Sequence, residues 1–433
     1  MTDWIRDDAF VQAIYQRRST IEQCIWELLP KGPDEDYVPP GDPEPPPPMR
    51  LRADCLAYLE DQWVLVTQFT GPNAADAWEM RENIAAVLDQ NLVPLNLGGG
   101  AGDESFIRTR INAQIGSQDW VGAGRDAFEK RLRDLILAVA SQQEFAGVLQ
   151  GTMDLHWSLL SSSRSAVLAV LDKTIQAMRD AIEDMRGGFG DLIERVWGEV
   201  KGYLAALDVV GVLTDVKSVG PAGAVRTVAH GLGSTVLHLP LGALFEGTSS
   251  DPMVPLEAMV AELRAVRKAT QQDSAKIAGL LGELDPYLSG DRRTYLVHEE
   301  GPVLPDSDNK PDPGGGTTME VDPNSLERIG VILTEARDTL QVARDRMVAA
   351  DSENGVRPFA EYDVGTGREP MFAEMKERWP AARVVLEQAM GATMTGTEVT
   401  VQSLSAAANL YRRSEQENHQ IMHKIAMDLG MGQ

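Results

Sequence analysis

The stretch FEKRLRDLILAVASQQEFAGVLQGTMDLHWSLL runs from Phe128 to Leu160 without a proline. Its apolar residues recur at Phe128, Leu132, Leu135, Val139, Ala146, Leu149, Met153 and Leu160. The steps are mostly three, four and seven, which return a side chain to the same face of an α-helix. The pattern continues through Val167, Leu171, Met178, Ile182 and Met185, and only Gly147 and Gly151 interrupt it. If unbroken to Arg186, the helix would be on the order of 90 Å long at ~1.5 Å per residue. A helix of that length cannot bury its own apolar seam, so other helices must pack along it. This stretch decides the fold class: all-α, a long helical bundle with coiled-coil-like seams.

The most regular pattern lies C-terminal to it. Leu326, Ile329, Leu333, Ala336, Leu340, Ala343 and Met347 step by alternating three and four. Asp322-Pro323 before them is an N-cap residue followed by proline at the first helical position. A Gly-containing loop over 351–369 turns the chain. A returning helix then carries Phe372, Met375, Trp379, Ala382, Leu386 and Ala389, past Gly391 and Gly396, to about Met422. Two long stripes joined by a loop predict a C-terminal antiparallel helical hairpin.

Towards the N-terminus, 4–29 reads as a helix with Phe10, Ile14, Ile21 and Leu28 near one face. The proline-rich run to Pro48 reads as a stiff linker. Helix is expected over 51–92, broken near Gly71-Pro72, and a short one over 105–115. Gly98 to Gly102 lacks the Lys-Ser/Thr of a phosphate loop and reads as a linker. After Gly187-Gly188 a helix over 192–207 is expected, then a Gly-rich, irregular apolar segment over 209–250, then helix again over 251–288. The Pro- and Gly-rich stretch around 301–320 is the strongest boundary signal. The division expected is an N-terminal helical domain 1–300, a linker 301–320 and the hairpin 321–433.

The chain carries 65 acidic against 40 basic residues, a formal charge of -25. Such a surface argues against nucleic acid as a partner, since phosphates need a basic face. The start MTDWIRDD has no basic region followed by an apolar one, so no Sec-type signal peptide is expected. Charges and glycines interrupt the apolar segment too often for a transmembrane helix. Cys24 and Cys55 could form one bridge or remain two buried thiols; the sequence leaves both open. His419 and His423 lie one helical turn apart, but no cysteine is near, and no metal or other cofactor is expected there. Ser161 to Ser163 lacks a glycine elbow and reads as a polar patch on the long helix.

One local feature remains. QDWVGAGRDAF, 118–128, places Trp120 and Gly122 two apart where the long helical pattern begins. Glycine permits a tight turn between helices, and a tryptophan can bury a large ring at its end. On the returning helix of the hairpin, Tyr411-Arg-Arg-Ser-Glu415 places an aromatic ring and a carboxylate on one helical face.

Together these features resemble the WXG family and the larger ESX-associated helical proteins, substrates of the type VII secretion system of actinobacteria and their relatives. The resemblance covers roughly 51–186 and 321–423. It implies a non-enzymatic protein exported without a Sec signal. Trp120, Gly122, Tyr411 and Glu415 would form a joint mark for the secretion ATPase. After export the protein would act at the envelope or outside the cell, by self-association or by binding a helical partner. The departures are that the two motifs lie far apart in one chain, and that Tyr362-Asp-Val-Gly365 replaces a Trp-x-Gly at the turn of the hairpin. The alternatives are a membrane-active or pore-forming secreted protein, inserting 209–250, and a cytosolic helical scaffold or chaperone. A secreted toxin enzyme is disfavoured, because no stretch is left over for a catalytic module beyond the hairpin.

Overall fold

The computed structural model describes residues 7–29, 47–96, 106–114, 123–185, 251–285, 322–349, 357–360 and 370–428. Among them there is no strand, and the protein is all-α. The expected helix over 192–207, the apolar segment 209–250 and the linker 301–320 lie outside the described residues.

The long periodic stretch forms one helix, α7 (Ala123–Met185). At ~1.5 Å per residue it is about 95 Å long. Gly147 and Gly151 do not break it, because a single glycine costs a helix only about 1 kcal/mol relative to alanine. The seam residues from Phe128 to Ile182 are buried. Met185, expected on the same seam, is 49% exposed, so the covered seam ends before the helix does.

The described chain falls into two compact units, each made of three stretches: 1–81, 151–282 and 353–380 in the first, and 82–150, 283–352 and 381–433 in the second. This partition is interleaved, whereas the division expected from the sequence is consecutive. The physical reason is the length of α7, which contributes one half of itself to each unit.

In the first unit, α1 (Asp7–Leu28) buries Phe10, Ile14, Ile21, Cys24, Ile25 and Leu28. It packs on α2 (Pro47–Gln62), whose first residues are prolines, tolerated there because a first-turn N–H has no intrahelical acceptor. Arg17 ties α1 to α7 by a two-pronged pair with Asp172, at 2.7 and 2.8 Å. After α3 (Val64–Thr67) and a 3-10 turn, the chain breaks at Gly71-Pro72 as expected. Asn73 then caps α4 (Ala74–Ala86), its Oδ1 accepting from the Asp76 N–H at 3.0 Å. α8 (Met253–Leu280) packs on α2 and α3, and Arg267 donates to Gln68 at 2.9 Å.

In the second unit, a π-helical turn (Val87–Leu92) leads through α5 (Val93–Asn96) to α6 (Phe106–Gln114). α9 (Pro323–Ala349) has the expected cap: Asp322 Oδ1 accepts from the Asn324 N–H at 3.0 Å, which holds the Asp322 carboxyl below its ordinary range. Every residue of its seam, from Leu326 to Met347, is buried. α10 (Ala373–Asp428) returns along it. Arg383 donates to the Met347 carbonyl at 2.8 Å, Arg344 to Glu387 at 3.4 Å, Arg337 to Glu398, and Arg412 to Glu327 at 2.5 Å. Residue numbers rise on α10 as they fall on α9, so the pair is an antiparallel hairpin. The π-turn and α6 pack on α9, and Arg346 donates to the Ala86 carbonyl at 3.2 Å and to Asn91 at 2.9 Å.

Candidate functional site

The Tyr-x-x-x-Glu stretch lies on α10, in the second unit. Tyr411 is half-buried, and burial pushes its hydroxyl above the ordinary tyrosine range. Glu415, one turn on, is exposed. Between them Arg412 bonds Glu327 at 2.5 Å and Asn324 Oδ1 at 3.3 Å, on the first turn of α9. The bond from Arg412 lowers the Glu327 carboxyl, and the same bond raises the guanidinium. Arg412 thus marks the place where α9 begins and stops covering α10. Every residue from Arg413 to Lys424 is exposed. Sequence reasoning found the tyrosine and the glutamate but missed this overshoot, because the register of a hairpin depends on its loop and on cross-helix pairs.

Trp120 and Gly122 lie outside the described residues. α7 begins at Ala123, the next residue along the chain. Arg108 of α6 reaches Glu129 at 3.0 Å, so α6 lies against the first turns of α7. Phe128, Arg131, Leu132 and Leu135 of α7 line a shallow cleft with Leu333 of α9 and Thr397 and Thr400 of α10. Further along α7, Gln142 donates to Thr393 at 2.7 Å. The pairing of Gln142 with Thr393, and of the Phe128 region with Thr397 and Thr400, makes α7 antiparallel to α10 within this unit. The head of α7 and the Tyr411 stretch therefore point to the same end of the unit.

The remaining expected site residues are ordinary in their settings. Cys24 and Cys55 are buried and unbridged. Burial pushes both thiols up, Cys55 to about 11. Because the thiolate is the reactive form, both should be slow towards a thiol reagent in the native protein. Denaturation without reductant is expected to release two titratable thiols; a count of zero would instead show a bridge. His419 and His423 are exposed, and among the described residues no group of three or more His, Cys, Asp or Glu side chains could hold a metal. Among the same residues no helix is long and apolar enough to cross a membrane. Ser163 is buried and donates to the Leu160 carbonyl within its own helix at 3.0 Å.

Two buried polar centres in the first unit escaped the sequence reading. Arg164 of α7, 1% exposed, joins Asp7 at 2.6 Å and the carbonyls of Pro72 at 2.6 Å and Phe69 at 3.3 Å. His156 of α7 is fully buried against Phe359 and Phe372, with ring centroids 4.7 and 5.0 Å away, and its Nε2–H donates to the Pro358 carbonyl at 2.8 Å. A histidine or arginine on a helix gives no sign in sequence of which distant backbone it will meet. Compared with family models, with curated proteins and with solved structures, the chain matches none.

Proposed function

We propose that this protein is a non-enzymatic substrate of a type VII (ESX) secretion system. The mark read by the secretion ATPase combines the Trp120-x-Gly122 turn with Tyr411 and Glu415. The supporting observation is the antiparallel course of α7 and α10, with Gln142 beside Thr393 and Phe128 beside Thr397 and Thr400. It sends the head of α7, which begins at Ala123, and the Tyr411 stretch of α10 towards one end of one helical unit, which supports a joint mark. Tyr411 sits half-covered on a helix that Arg412 anchors, and Glu415 stands free of cover one turn beyond it. A rigid aromatic ring next to an exposed carboxylate is a compact feature for a receptor to recognise. After export the protein works through its surfaces, at the envelope or outside the cell.

The test is export itself. Wild type, Trp120→Ala and Tyr411→Ala are expressed in a host with a working type VII system. Culture filtrate is compared with lysate, with a cytosolic protein as the lysis control. Wild type is expected in the filtrate. Both variants are expected to remain in the lysate almost completely, with circular dichroism and melting unchanged. Export of either variant at the wild-type level removes that residue from the mark, and retention of all three in the native host removes the reading.

A further inference from the structure

The 3-10 turn that precedes α10, Arg357–Phe359, is seated on a histidine. Pro358 and Phe359 are buried, although Arg357 is exposed. Hydrogen bonds from two other elements hold the turn. The His156 Nε2–H of α7 donates to the Pro358 carbonyl at 2.8 Å, and the Asn73 N–H at the start of α4 donates to the Arg357 carbonyl at 3.1 Å. Phe359 fills the space beside them, its ring 4.7 Å from that of His156 and 6.1 Å from that of Trp379. All of these residues belong to the first unit. A single turn has no longer helix to share its bonds with, so it can open at a lower free energy than the whole unit.

A buried donor to one carbonyl needs one nitrogen. His156 brings two, and its Nδ1 is enclosed without a hydrogen-bond partner among the described residues. In the neutral ring Nδ1 is a bare lone pair, which a proton turns into a second donor on a charged ring. Phe359 and Phe372 beside it have no oxygen to accept that N–H, and a buried charge without a partner is costly. Charges on the surrounding elements do not relieve it. Asp154 of α7 pairs with Arg81 of α4, and Arg164 of α7 pairs with Asp7 of α1. Glu79 of α4 is exposed, and so are Glu374, Lys376, Glu377 and Arg378 on the first turns of α10. Asp76 of α4 is half-buried, and burial holds its carboxyl above the ordinary range against the pull of Arg357. A carboxyl raised in this way binds its proton more tightly in the closed form than in the open one. Asp76 therefore opposes opening by acid, and His156 is the group that drives it.

We propose that the Arg357–Phe359 turn is an acid-released latch, closed while the His156 ring is neutral and opened by a proton on Nδ1 while the rest of the unit stays folded. Opening uncovers Phe359, Phe372 and Trp379, each at most 2% exposed in the closed form. The latch thus presents aromatic surface in acid without unfolding the protein. A ring that titrates at about 4 when closed over and near 6.5 when free multiplies the opening constant roughly sixtyfold between pH 7 and pH 4.5. Asp76 takes back part of that factor. The inference does not rest on export, since the latch is read on purified protein.

The experiment is native-state hydrogen exchange of the full chain at pH 7 and pH 4.5, each rate corrected for the intrinsic rate at that pH. The Asn73 and Ala360 amides report the latch, because Asn73 donates into the turn and Ala360 donates within it. In wild type their protection is expected to fall at least about tenfold at pH 4.5, while amides in the middle of α1 and α9 keep theirs. His156→Gln can still donate to Pro358 but takes up no proton, so its protection is expected to be the same at both pH values. Phe359→Ala is expected to lose protection at the two latch amides already at pH 7, with α1 still protected. Should the glutamine variant also be open at pH 7, the ring decides. The wild-type loss must then follow the midpoint of His156 protonation, read from exchange of its ring C2 hydrogen, and a loss at any other pH overturns the proposal. Latch amides indifferent to pH in wild type, an equal loss in a closed His156→Gln variant, or a loss shared in step by α1 in wild type or in Phe359→Ala would each overturn it too.

Discussion

Arg164→Ala is expected to cost the protein about 3–5 kcal/mol of stability, the range for breaking a buried charge pair from one side. The guanidinium is 1% exposed and lies over the Phe10 ring, 5.0 Å from its centroid. It meets the Asp7 carboxylate and two backbone carbonyls just before α4. Asp7 in turn accepts from the Ala74 and Ala75 N–H groups, at 3.1 and 3.4 Å. These are orphan donors at the start of α4, where a carboxylate is also favoured by the helix dipole. One ion pair thus joins the beginning of α1, the middle of α7 and the turn that starts α4. Removing the arginine leaves two carbonyls without their donor and a carboxylate without its partner. Arg164→Lys is expected to recover little, since one ammonium cannot reproduce the planar fork. Asp7→Asn is expected to cost less than Asp7→Ala, because its amide oxygen still accepts from α4. Denaturant midpoints report all four. An Arg164→Ala variant within about 1 kcal/mol of wild type would show that the cluster is not holding the unit together.

The second large effect is an acid transition centred on His156. Burial lowers its pKa to about 4, against the rising influence of its bond to the Pro358 carbonyl. Nδ1 has no hydrogen-bond partner among the described residues, so the added proton would sit unsatisfied among aromatic rings. An unfolded chain binds this proton near pH 6.5, and the folded protein only near pH 4. Between those values the unfolded state holds more protons. The contribution of His156 is therefore complete above about pH 6.5 and falls as the pH drops towards 4. A shift of this size corresponds to a loss on the order of 3 kcal/mol across that window. Carboxylates titrate in the lower part of it, so the test is a difference. Stability against pH is measured for wild type and for His156→Gln, which can still donate to Pro358. The variant is expected to be less stable at pH 7, because it loses the aromatic packing. It should also have a visibly flatter slope between pH 6.5 and 4. Parallel slopes would show that His156 carries no part of the transition.

Much of this architecture was legible in local spacing. The seam of α7, the heptad stripe of α9, the Asp322-Pro323 start and the break at Gly71-Pro72 follow from periodicity and from the backbone preferences of a few residues. Each is a property of residues within one or two helical turns. The same locality explains what was missed. Periodicity says that Met185 belongs to the seam of α7, but not that the seam has lost its cover by then. It places His156 inside a helix without naming the Pro358 carbonyl, and Arg164 on a helix without naming Asp7. The two cysteines sit on α1 and α2, neighbours in space, yet both thiols stay free.

The motifs divide in the same way. Tyr411 and Glu415 are readable as a pair because i and i+4 always share a helix face. That the cover of α10 ends at Arg412 depends on the register between α9 and α10, set by Arg383, Arg344, Arg337 and Arg412 reaching across the hairpin. By itself, then, the sequence determined the all-α class, the faces each helix must bury and the residues that begin and break the helices. Only the tertiary structure decided which faces meet, in what register, and where a face is left bare. Side-chain periodicity is a one-dimensional signal that says which face is buried, whereas the choice of partner is made by packing and ion pairs between residues far apart in the chain.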